Sequence, residues 1–309
     1  MQPLPFQLNS AVIMALTLTC GGVCCGQISD SIRPGDGLGF RDGYAEAKRL
    51  FDESMYEEAL VICDQTLEDI FPARVYSRLQ AVATRCCLLL NRREDALRRI
   101  ETIYQRDPES PHLSLIPLLW DDRLPASERY TARAEDLLSE SPTRRLAAAS
   151  SLLQESQHSE KCVQILTEVR ASRRLPMSIL AETQLWRVQM PATDSVHLPT
   201  VRRWQKRAAS LPESLRAGPQ FIVGRALQLR HKPDQAALEL LWLPLMQTDD
   251  SCLAASGLAE AVVCLELTGR IESARRLRRE LQDRFGQTSA ARRLTSSDST
   301  LPRAVPFAE

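Results

Sequence analysis

Met55-Tyr-Glu-Glu-Ala59 is echoed by Arg92-Arg-Glu-Asp-Ala96, His158-Ser-Glu-Lys-Cys162, Lys232-Pro-Asp-Gln-Ala236 and Arg270-Ile-Glu-Ser-Ala274, each with an acid two residues before a small residue. The small residues are 37, 66, 74 and 38 positions apart. Two intervals are single repeats, and two are near double that length, as expected where an intervening repeat has lost the signature. Self-similarity at this period marks stacked helical units, none of which buries its apolar face alone.

The echo extends at fixed offsets. Twelve residues before the small position stand Ala47, Thr84, Ser150, Gly224 and Val262, and nine before stand Leu50, Cys87, Leu153, Leu227 and Leu265. Four after come Cys63, Ile100, Leu166, Leu240 and Arg278, and seven after come Thr66, Ile103, Val169, Leu243 and Leu281. Offsets of four and seven share a helix face. The unit is therefore two helices, with the acid in the first turn of the second, where the positive end of the helix dipole favours it. Asn91, Pro233 and Gly269 fall between the helices of a pair, and Pro72 and Pro108 follow the second helix.

This pattern resembles the tetratricopeptide repeat. Ala59 and Ala96, with downstream Pro72 and Pro108, match best, while the family's aromatic positions are mostly missing and Cys162 stands in place of Ala. Residues 112–119 with 125–139, and 178–189 with 200–211, read as further pairs. The resemblance implies an all-α, right-handed α-solenoid of about seven helix pairs, a TPR-like superhelix spanning 44–288.

The flanks read differently. Ala11 to Cys25 is an uncharged apolar or small-residue run, too short for the roughly 20 residues of a membrane span, so 1–26 is expected to be a signal peptide and the protein exported, periplasmic or extracellular. No transmembrane segment is expected after its removal, and a mis-assigned start would leave the chain cytoplasmic. The glycine-rich 27–43 reads as a flexible linker and 289–309 as a disordered tail, where Ala290→Leu should be silent.

Charge sums to zero but is unevenly spread: residues 27–72 carry 4 basic and 11 acidic groups, and 201–309 carry 17 basic and 12 acidic. Such asymmetry can orient a charged partner. A pI near 6.9 gives no broad basic footprint, so no nucleic acid is expected. The histidines His112, His158, His197 and His231 are isolated from one another, no Ser sits in a Gly-x-Ser-x-Gly turn, and no Cys-x-x-Cys is present. Cys63, Cys86, Cys87, Cys162, Cys252 and Cys264 read as buried free thiols ahead of disulfides, most of them lying on apolar helix faces. No catalytic residue, metal or cofactor is therefore expected.

The expectation is a non-enzymatic protein-protein interaction module or scaffold of the cell envelope, binding a peptide or partner protein of unspecified identity on its helical surface. The alternatives are a structural subunit of an envelope assembly and an enzyme with a divergent site. Partner-binding candidates are Lys48, Arg85, Asn91 and Arg225 on first helices, and Arg275, Arg276 and Arg279 in the basic last repeat. Arg278, at an apolar offset, is expected to mark a terminal repeat whose outer side meets water.

Overall fold

The computed structural model describes residues 38–69, 71–172, 175–190, 197–246 and 250–297. They form thirteen α-helices and, among the described residues, no strand. In chain order these are α1 (Leu38–Asp52), α2 (Tyr56–Thr66), α3 (Ala73–Leu89), α4 (Arg93–Arg106), α5 (Pro142–Leu152), α6 (Ser159–Ala171) and α7 (Met177–Gln189). There follow α8 (Leu198–Ala209), α9 (Ala217–Leu229), α10 (Pro233–Met246), α11 (Ser251–Leu267), α12 (Ile271–Phe285) and α13 (Ser289–Ser297). The expected signal peptide lies outside the described residues.

The echoed register reappears as a repeated turn. Five residues before Ala59, Ala96, Ala236 and Ala274 the backbone is left-handed, at Ser54 (φ 63°), Asn91 (58°), His231 (54°) and Gly269 (72°). At each, the next N–H donates to the carbonyl five residues back: Met55 to Leu50 at 2.9 Å, Arg92 to Cys87 at 2.7 Å, Lys232 to Leu227 at 3.0 Å and Arg270 to Leu265 at 2.9 Å. The left-handed residue itself donates three back, as Ser54 does to Phe51 and Gly269 to Glu266, both at 3.0 Å. Together these are the two bonds of a Schellman helix end, which satisfy carbonyls the helix leaves open. The fifth echo, at Cys162, joins its helices by consecutive turns instead, with Glu155 donating to Leu152 and His158 to Glu155.

Beyond the turn, the small residue is needed for close approach. Ala59, Ala96, Cys162 and Ala236 have no exposed surface, and Ala274 is buried. A Cβ added at Gly224 would lie 2.5 Å from Leu240 Cγ, so the −12 and +4 offsets face each other across α9 and α10. The first acid also finds a partner in the next repeat. Glu57 meets Arg92 at 2.7 Å and Asp234 meets Arg270 at 2.9 Å, which is the same pair of offsets in both single-period steps.

Three expectations are corrected. Among the described residues, 112–139 form no helix pair, where one of about seven pairs was expected. Only short 3-10 turns occur there, at Pro111–Leu115, Ala126–Glu128 and Ala134–Leu138. Pro111, Pro117 and Pro125 account for this, since each lacks an N–H and biases the preceding residue away from helix. The tail is helical from Ser289 to Ser297, with Ala290, Ala291 and Leu294 buried; the apolar period is short but the rest of the fold supplies a surface for it. The linker gives way to helix at Leu38, and Gly43 packs so closely that an added Cβ would lie 2.2 Å from Thr66 Oγ1.

Two cores result, one built from α1 to α7 and one from Trp186 through α13, and Trp120 of the irregular segment packs against both. At their junction Trp186 and Trp204 stack with centroids 5.3 Å apart. All six described cysteines are free and buried. Burial pushes the Cys63 and Cys86 thiols up to about 12, so they pack as small hydrophobes. No helix among the described residues is long and apolar enough to cross a membrane.

Candidate functional site

The irregular segment is held by side chains from helices distant in sequence. Ser150 Oγ accepts the Leu119 N–H at 2.9 Å, and Gln184 Nε2 donates to the Leu119 carbonyl at 3.3 Å. Arg187, fully buried, donates to the Ser150 carbonyl at 3.0 Å and to Gln184 Oε1 at 2.5 Å, and its other arm pairs with Asp122. Burial holds its pKa below the usual arginine value, and the Asp122 charge opposes that shift. These groups satisfy a chain that has no helix or sheet ladder to satisfy it.

Two further anchors come from the C-terminal helices. Arg123 bridges Asp121 at 2.8 Å and Glu260 at 2.5 Å, and Arg293 donates to the Arg123 carbonyl at 3.0 Å. Glu128 accepts the Ser289 N–H at 2.7 Å and its hydroxyl at 2.8 Å, so a carboxylate 161 residues upstream caps α13. Arg93 at the start of α4 meets Asp250 at 3.5 Å, and Asp250 in turn caps α11 through the Cys252 and Leu253 N–H groups.

So held, the segment forms one wall of a cleft of about 590 Å³. The other wall is the Asn91 turn and the first residues of α4. The Asn91 side chain donates to the Ser127 carbonyl and ties the walls together. The base is Arg144, which grips Glu101 through two bonds of 2.9 Å and reaches Glu94 at 3.0 Å. Tyr130 donates to Asp136 at 3.1 Å, and burial followed by the Asp136 charge raises its phenol pKa. Its hydrogen bond with Glu101 raises that of Arg144. Both shifts move protonation away from neutral pH, which suits groups that bind rather than exchange protons. Arg129 and Arg133 also line the cleft, and among the described residues neither guanidinium meets a carboxylate.

A second hollow, of about 420 Å³, lies between α12 and α13. Its floor is Leu281, Ala291 and Leu294, and Arg275, Arg278 and Arg279 stand at its edge.

Of the residues expected to bind a partner, only some are brought together. Asn91 lines the cleft, and Arg275 and Arg279 edge the α12–α13 hollow with Arg276 exposed beside them. Lys48 is exposed on α1, away from either. Arg85 is half-buried on α3, where its charge adds to the burial that lowers His112 to about 4. Arg225 is half-buried and engaged by Glu260, so it is a structural contact. Arg278 is only 21% exposed and pairs with Glu266, while α13 follows it, so it does not mark the outer side of a last helix. Arg129, Tyr130, Arg133 and Arg144 carried no signal in the sequence, because their meeting depends on how a non-repeating stretch is folded back.

No family model matches the chain, and no curated protein or solved structure matches it.

Proposed function

We propose that the protein is a non-enzymatic interaction module of the cell envelope whose helix pairs continue as a right-handed, TPR-like solenoid. In this reading it holds a protein or peptide partner, with no nucleic acid, cofactor or metal, and is exported by way of residues 1–26. The observation that carries the binding reading is the cleft: a concave site with two guanidinium groups lacking an internal carboxylate, beside the amides at the start of α4. A guanidinium held without a partner is suited to bidentate contact with a carboxylate, so an extended peptide bearing Asp or Glu fits this wall.

The test is crosslinking capture from the native envelope fraction, with Arg129→Glu/Arg133→Glu as control. The captured partner should be lost in the double variant while its circular dichroism stays helical. An unchanged set of partners would remove the cleft from the mechanism. An empty set beside measurable turnover of a substrate would replace binding with catalysis.

A further inference from the structure

Charge is matched between two faces of this chain whose charged groups are open to solvent. On α2 and the turn after it, Glu58, Val61, Gln65 and Glu68 lie on one face at helical spacing, with Glu57 beside them. All five are exposed, and Val61 retains 54% of its surface. An apolar residue ringed by carboxylates is the complement of the α12–α13 hollow, whose apolar floor is edged by arginine. Neither Glu58 nor Glu68, and neither Arg276 nor Arg279, forms an ion pair among the described residues. These four groups are free to act between molecules, whereas Glu57 and Arg275 also pair within the chain, with Arg92 and Glu272.

We propose that the α12–α13 hollow receives the α2 face of a second copy of this chain, with Val61 over Leu281, Ala291 and Leu294 and the α2 carboxylates against Arg275, Arg276 and Arg279. The contact is heterologous, since each copy offers one acidic and one basic face, and it propagates head to tail unless the rotation closes a ring. Inside the chain, successive repeats already use acid–arginine pairs, Glu57 with Arg92 and Asp234 with Arg270. In the repeat of α12 the equivalent acid, Glu272, is 83% exposed and, among the described residues, pairs within its own helix, with Arg275. Steering by such faces is strong at low ionic strength and screened beyond roughly 8 Å at physiological salt.

The experiment is light scattering of the full chain over a concentration series at low and high salt. The apparent mass should rise with concentration at low salt and return toward that of one chain at high salt. Arg275→Glu/Arg276→Glu/Arg279→Glu alone, and Glu58→Arg/Glu68→Arg alone, should each weaken association by about tenfold or more. Mixing the two variants should restore it, because their faces are again complementary. Val61→Asp, at a position more than half exposed, should weaken it independently. A single-chain mass at every concentration overturns the proposal, even where an unrelated acidic peptide still binds. Association that survives both charge reversals overturns it as well. Neither outcome bears on the Arg129–Arg133 cleft.

Discussion

The repeated hairpins and the stretch from Asp107 to Ser141 solve the same problem in opposite ways. In α1–α4 and α9–α12 each helix satisfies its own backbone, and four near-identical turns close the helix ends, so side chains need only pack. Residues 107–141 have three short 3-10 turns and no ladder, so their polar atoms are met by Ser150, Gln184, Arg187, Glu260 and Ser289. Local rules build the first region. Long-range polar contacts build the second, and it is the second that carries one wall of the cleft. The contrast predicts that the most damaging polar substitution lies in the helices that hold the irregular stretch, with the repeat contacts failing more gently.

Arg187→Ala should be the most severe change. It removes a buried charge together with its bonds to the Ser150 carbonyl, Gln184 and Asp122. Asp122 is a third exposed and stays solvated, so the cost comes from the buried groups left unsatisfied, about 1–3 kcal/mol each, to be read from urea denaturation. A loss below that of any repeat variant would show that the irregular stretch is held mainly by its apolar contacts.

Ala96→Leu should cost about 1–3 kcal/mol by overpacking the α3–α4 contact, since Ala96 has no exposed surface. Ala290→Leu should cost a similar amount, because Ala290 is buried where a loose tail was expected. Thermal melts that coincide with wild type at position 290 would return α13 to the status of a tail.

Acid sensitivity should also concentrate in the irregular region. His112 is lowered to about 4 by burial first, then by Arg85 and Arg78, with Asp107 opposing. Above its ordinary value of 6.5 it is neutral folded or unfolded, and stability is unaffected. As pH falls from 6.5 towards 4, only the unfolded chain takes up the proton, so stability is progressively lost. Urea midpoints measured across that window should fall for wild type and flatten for His112→Gln. Equal slopes would place the acid sensitivity of that window elsewhere than His112; Asp121, whose pKa is lowered despite burial chiefly by its bond to Arg123, loses its contribution only as pH falls below its ordinary 3.8.

The smallest effect belongs to the exposed pairs between repeats. A double-mutant cycle on Asp234 and Arg270 should give a coupling of about 0.2–1 kcal/mol, since both side chains are more than half exposed. A coupling well above that would make the acid–arginine step a principal element of the repeat interface.

Much of this molecule was written into local sequence. The offsets around Ala59, Ala96, Ala236 and Ala274 identify helices, turns and the small contact residue, because a 3.6-residue period and a close helix crossing restrict which residue types fit. Even there the reading is partial: Gly269 and Asn91 suit a left-handed turn, whereas Ser54 and His231 adopt the same conformation without announcing it. Residues 112–139 show the limit. Their apolar residues suggested helices, yet the prolines and the tertiary polar contacts decided otherwise.

What the sequence alone determined is the helical hairpin and its register, since both follow from interactions within about forty residues. What only the tertiary structure decided is which side chains meet outside the repeat register: Glu128 at the start of α13, 161 residues away, Gln184 at Leu119 and Arg187 at Asp122, each 65 residues away, and Arg129 and Arg133 facing the Asn91 turn. No period records such meetings, because each is a single pairing set by how the whole chain folds back, and a single pairing leaves no repeated trace in the order of residues.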